Sequence, residues 1–202
     1  MVYDYPLIEL DQCSRNMSMY EGEGVWNAIS GSEYIQEKLR RGTCFGELDH
    51  PDANCDRERF MKVYKPNVSH RNVNIKRQGN HVFGDVQFVA PQGYIPWDWI
   101  TKGINVGMSI RILTPNYQEK TDANGNQYIY KHGAMRFVSF DCVDIGGFKE
   151  ASIVPVDNYD ASKREIASGA SNESYKIAHS KNPLKSNESY AGIHLNWTHG
   201  RK

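Results

Sequence analysis

Val68-Ser69-His70-Arg71-Asn72-Val73-Asn74-Ile75-Lys76-Arg77-Gln78-Gly79-Asn80-His81-Val82-Phe83-Gly84-Asp85-Val86-Gln87-Phe88-Val89 reads as two β-strands and the turn between them. Val73 and Ile75 stand two apart, the spacing that places side chains on one face of a strand. Gln78-Gly79-Asn80 supplies the turn, since glycine and asparagine accept the left-handed backbone of a tight hairpin. Val82, Phe83, Val86 and Phe88 form the second, more apolar arm. An antiparallel hairpin is the expectation from which the rest of the chain is read.

Downstream, Pro91-Gln92-Gly93 breaks the extended pattern, and Tyr94 to Lys102 places Ile95, Trp99 and Ile100 on one helical face before Gly103 ends the turn. Val106 to Leu113 returns to strand character, Asp122-Ala123-Asn124-Gly125-Asn126 is a turn, and Tyr128, Tyr130 and the run Phe137 to Ile145 are further strands. Upstream, Ser32 to Arg41 suits a short helix: Ser32 caps it, Lys38, Arg40 and Arg41 sit in its last turn, and Gly42 stops it. Residues 1 to 36 suggest short strands and loops around one helical turn. The result is a strand-rich body decorated by short helices.

From about Asp157 the composition turns to Ser, Asn, Lys and Glu with few large apolar residues, which suits a weakly ordered tail. The expected division is a domain over residues 1–156 and a tail over 157–202. Within that tail Ser171-Asn172-Glu173-Ser174-Tyr175 recurs as Ser186-Asn187-Glu188-Ser189-Tyr190. Two copies are too few for a solenoid, and low-complexity drift is the plain explanation.

Composition narrows the function classes. Lys and Arg number 24 and Asp and Glu number 24, so no net field draws the chain to nucleic acid or to an anionic membrane. The cysteines at 13, 44, 55 and 142 form no C-x-x-C pair, which favours a reducing compartment. No apolar run approaches the ~18 residues of a membrane span.

Two residues could do nucleophilic chemistry. A serine hydroxyl needs a base to take its proton, and imidazole, with a pKa near ~6.5, suits that task at neutral pH. Ser109 sits in Gly107-Met108-Ser109-Ile110-Arg111, and His50 in Gly46-Glu47-Leu48-Asp49-His50-Pro51. The Gly-x-Ser-x-Gly elbow of α/β-hydrolases is absent, because position 111 is Arg. A third group should orient the imidazole, and Asp144, Asp141 and His132 are the downstream candidates. A metal site from Glu47, Asp49 and His50 is disfavoured: the i, i+4 histidine pair is missing, and strand alternation would split Asp49 from His50.

These ordered blocks resemble the prohead maturation proteases of tailed bacteriophages, the T-even-like group whose fold is shared with the herpesvirus assemblin proteases. Gly46 to Pro51 is similar to that family's G-E-L-[ND]-H-P block, which supplies the histidine. Gly107 to Arg111 is similar to its G-[VM]-S-S-R block, with Ile110 in place of the second serine and Ile112 where a glycine usually follows. The likeness covers roughly residues 43 to 155. It implies an α+β, mainly β fold with an antiparallel barrel-like core and short surrounding helices, and a serine endopeptidase with Ser109 as nucleophile and His50 as base. Phe137 to Asp144 resembles a strand reaching a Val-Asp pair, so Asp144 is the expected third member, ahead of His132 and Asp141. Arg111 and the Ile110 backbone are expected at the oxyanion, and His70 is expected to be structural.

The resemblance further implies cleavage after glutamate, which turns Glu173 and Glu188 into candidate self-cleavage sites. The implied substrates are scaffold and capsid proteins inside an assembling prohead in the host cytoplasm. Neither metal nor cofactor is expected, and no nucleic acid or membrane partner; a homodimer is allowed. The rival expectation is a non-enzymatic assembly protein of the same fold.

Overall fold

The computed structural model describes residues 1–149 and 151–153. The tail over 157–202, with Glu173 and Glu188, lies outside the described residues. The described residues form ten strands and four short α-helices, so the fold is mainly β with α-helical additions.

The hairpin at Val68–Val89 forms as β4 (Val68–Gln78) and β5 (His81–Phe88). Gln78 pairs with His81 across a two-residue loop, and Gly79 takes φ +59°, the conformation expected of it. One detail differs. A register shift between Asn72 and Asn74 breaks the alternation, so Ile75 is buried while Val73 is 40% exposed. The pair is extended on one side by β1 (Val2–Glu9) and on the other by β3 (Phe45–Glu47), giving a four-stranded sheet in the order β1-β5-β4-β3.

A second sheet has the order β10-β6-β9, from β6 (Val106–Leu113), β9 (Arg136–Val143) and β10 (Ser152–Ile153). A third joins β2 (Ser18–Tyr20), parallel, to the hairpin of β7 (Asn116–Thr121) and β8 (Gln127–His132). Among the described residues no ring of paired strands closes, so the expected barrel-like core is seen there as three open sheets.

The core lies between the first two sheets. β1 packs against β6, and the Tyr5 hydroxyl donates to the Val106 carbonyl at 2.5 Å. Leu7, Val82, Val86, Met108 and Phe140 are wholly buried there, each burial worth roughly 1.5–3 kcal/mol. The two sheets also meet edge to edge: Leu48, just beyond β3, bridges Cys142 of β9 in parallel. This seam carries the candidate site.

The helices match expectation unevenly. α2 (Glu33–Arg40) starts where expected, its cap Ser32 accepting from the Ile35 N–H, and Gly42 follows at φ +65°. α1 (Gly22–Ser30) is a full helix where one helical turn was expected; it buries Val25 and Ile29, four apart on one face. α3 (Arg57–Phe60) is a single turn capped by Asp56. α4 (Tyr94–Thr101) buries Pro96, Trp97 and Ile100 and leaves Ile95 39% exposed, so its inner face is rotated from the expected one. None of the described helices is long and apolar enough to cross a membrane.

Candidate active site

The site starts from the end of β3. Gly46 passes so close to β9 and β4 that a Cβ would stand 2.0 Å from the Phe140 carbonyl oxygen and 2.3 Å from the His70 ring, so only glycine fits. Three residues on, the chain is tied to β9 by the Asp49 N–H, which donates to the Cys142 carbonyl at 2.7 Å. Asp49 then adopts φ +65°, a left-handed conformation that Asp and Asn accept at lower cost than other side chains. That turn sends His50 back over β9.

There His50 Nδ1 meets Asp141 Oδ2 at 2.8 Å, with the imidazole 37% exposed and the carboxylate fully buried. A carboxylate can only accept, so Nδ1 carries the proton and Nε2 is left as the basic nitrogen. Asp141 is the cross-strand partner of Ser109 in the β6–β9 ladder. Directly opposed residues share a face with Cβ atoms roughly 5 Å apart, so the serine and the carboxylate that binds His50 lie on one side of the sheet. Ser109 is half-buried, and a Cβ on Gly147 would stand 3.0 Å from its Oγ. Among the described residues Ser109 Oγ has no hydrogen-bond partner, and catalytic contacts often tighten only when substrate is bound.

Asp141 is held by more than the imidazole. Its Oδ1 accepts from the Glu47 N–H at 3.0 Å, from Ser139 Oγ at 2.8 Å and from Arg111 Nη2 at 3.2 Å. Arg111 Nη2 also donates to Glu47 Oε1 at 2.7 Å, and Arg111 is itself wholly buried. Glu47 takes two further donors, Arg59 and the Tyr64 N–H, the latter at 2.9 Å. Burial alone would raise the Glu47 carboxyl, but the bonds from Arg59, Tyr64 and Arg111 outweigh it and hold it below the ordinary carboxylate range. The two buried carboxylates are thus compensated by the buried Arg111 and, from the half-exposed rim, by Arg59, the condition under which buried charge is tolerated. Arg111 Nη1 remains a buried donor without a partner among the described residues.

Outside this cluster a shallow depression of about 510 Å³ opens beside His50. It is lined by Pro51, Asp52, Cys55, Arg57, Phe60, Ile110, Arg111 and Leu113 among others. Arg57 is exposed and has no acidic partner among the described residues, while Asp52 Oδ1 accepts from the Asn54 N–H at 2.8 Å.

The structure therefore brings together His50, Asp141, Ser109 and Arg111, and leaves two of the expected third members elsewhere. Asp144 lies beyond the end of β9, exposed, with Oδ1 accepting from the Ile145 N–H at 2.7 Å. His132 belongs to β8 in the third sheet, its ring stacked on Tyr130 with centroids 5.6 Å apart. The bond to His50 is made by Asp141, ranked last of the three. Glu47 was weighed only as a metal ligand and Ser139 not at all; the polar pair Ser139 and Asp141, two apart in an apolar strand, was the available signal for a polar buried face. No group of three or more His, Cys, Asp or Glu among the described residues could hold a metal ion.

The chain shares its fold with the capsid assembly protease of bacteriophage T4, at a TM-score of 0.53 and 18% sequence identity, over 67% of this chain and 76% of that one. No family model and no curated protein matches the sequence.

Proposed function

We propose that the protein is a serine endopeptidase of prohead maturation. The observation that carries the reading is the 2.8 Å bond from His50 Nδ1 to the buried Asp141, whose ladder partner is Ser109, on a fold shared with a phage capsid assembly protease. Asp141 fixes the imidazole tautomer, and His50 Nε2 takes the Ser109 proton as Oγ attacks the substrate carbonyl. The Asp141 carboxylate, held ionised by Arg111, then compensates the imidazolium. The oxyanion is received by backbone N–H groups near Ile110, with Arg111 behind them as a buried positive charge. This scheme calls for no metal.

The substrates are scaffold and capsid proteins within the assembling prohead in the host cytoplasm, cut after glutamate. Arg57 supports the acidic preference, as an unpaired cation on the wall of the depression beside His50. Glu173 and Glu188, in the repeated Ser-Asn-Glu segment, are the proposed self-cleavage positions.

Incubation of wild-type protein with the Ser109→Ala chain, followed by intact-mass measurement, tests the reading. Wild type should release fragments ending at Glu173 or Glu188, and Ser109→Ala alone should stay whole. Identical masses in both would remove the protease and favour an assembly protein of the same fold.

A further inference from the structure

A second groove, of about 400 Å³, is lined by residues that directly follow α3 and by β3 and β9. Arg57 and Phe60 of α3 line the depression, and Met61 and Lys62, the two residues that follow α3, line the groove. Four cations line the groove, Lys38, Lys62, Lys65 and Arg136, and no acidic side chain does so among the described residues. Lys62 is answered from outside by Glu58, but Lys65 and Arg136 are exposed and have no acidic partner among the described residues. In a chain whose charges balance overall, this is a local excess of positive charge.

The floor is apolar and extended. Phe45 of β3 and Phe137 of β9 line it, and these are the outer strands of their two sheets. Because β3 and β9 face each other across the seam, an occupant of the groove is held by side chains, the apolar floor taking its apolar residues and the cations its acidic ones. We propose that this groove is a docking site for an extended acidic peptide segment, whose flanking residues then continue across α3 toward His50. Single-stranded nucleic acid fits less well, because it needs open aromatic faces for stacking. Tyr34 already carries Lys38 over its ring at 4.9 Å, and Phe137 is only 4% exposed.

The test measures binding without cleavage, so that it stands whether or not the chain is a protease. A fluorescein-labelled peptide alternating Glu and Leu is titrated with the Ser109→Ala protein by anisotropy. Lys65→Glu with Arg136→Glu should weaken binding by ~10-fold or more, since like charges meet at the interface. Lys65→Gln with Arg136→Gln should give a smaller loss, and added salt should weaken the parent. Arg57→Gln, at the depression, should weaken binding less than the groove reversal does. Melting curves check folding, which exposed substitutions should alter little. Unaltered affinity in the charge-reversed protein overturns the proposal, as does loss in Arg57→Gln alone, which would locate binding in the depression. Tighter binding of a single-stranded oligonucleotide than of the peptide would also overturn it.

Discussion

Two histidines lie along the same edge of β9 and face opposite fates. His50 sits beside Asp141 at the surface, bonded through Nδ1 and open to water on its other side. His70, one strand inward, is fully buried, with Nδ1 against Ser69 Oγ at 2.9 Å and its ring edge-on to Phe88. Burial lowers the His70 pKa to about 4, although the Asp141 charge and the Phe140 carbonyl pull the other way. A base must be able to hold a proton near neutral pH, so location separates a candidate catalyst from a packing residue of the same chemistry. What distinguishes the two sites is solvent on one side and a directly bonded carboxylate on the other.

Removing that carboxylate's charge should break the contrast most sharply. Asp141→Asn should keep the geometry yet reverse the tautomer preference of His50, with a loss in kcat of ~10⁴-fold. Asp144→Asn should leave activity within about twofold, because that side chain is exposed and serves its neighbour's N–H. Peptide-cleavage kinetics on both variants checks this, and equal losses would return Asp144 to the site. Next in size is Glu47→Ala, which removes one of the two carboxylates that hold the buried Arg111 and should destabilise by ~3–5 kcal/mol in urea unfolding.

The smallest expected effect concerns His70. Its folded pKa, about 4, lies below the unfolded value, so the unfolded chain takes up the proton first as pH falls. Stability from this group is complete above ~6.5 and is lost progressively down to ~4, by about 3 kcal/mol in all. His70→Gln should flatten the stability–pH curve in that window. A slope unchanged by the substitution would show that His70 is not held neutral.

Much of this was legible in local pattern. The hairpin turn at Gly79, the Ser32 cap, and the blocks around His50 and Ser109 all depend on residues a few positions apart. Even the Asp or Asn expected before the histidine has a physical reason, since Asp49 takes a positive φ. The choice of Asp141 depended on something else, the register between β6 and β9, strands separated by more than twenty residues. Asp141 and Asp144 are three apart and would face opposite sides of a strand, but nothing local says which side looks toward Ser109. Glu47 was hidden for a related reason: its importance comes from Arg59, Tyr64 and Arg111, none of them its strand neighbours. α1 went unrecognised because Gly22 and Gly24 weaken the helical signal at its first turn.

The direct pairing of β6 with β9 has an evolutionary consequence. Everything between them, the β7–β8 hairpin included, is an excursion that departs from the site's sheet and returns to it, pairing meanwhile with β2. Its length does not enter the spacing of Ser109 and Asp141, and longer surface loops cost little entropy. Insertions and deletions can therefore accumulate between residues 114 and 135 while the two site strands stay in step. Within either strand a single-residue indel would turn one of the pair to the wrong face. Lineages carrying this architecture should differ most in that excursion and least in the ladder it interrupts.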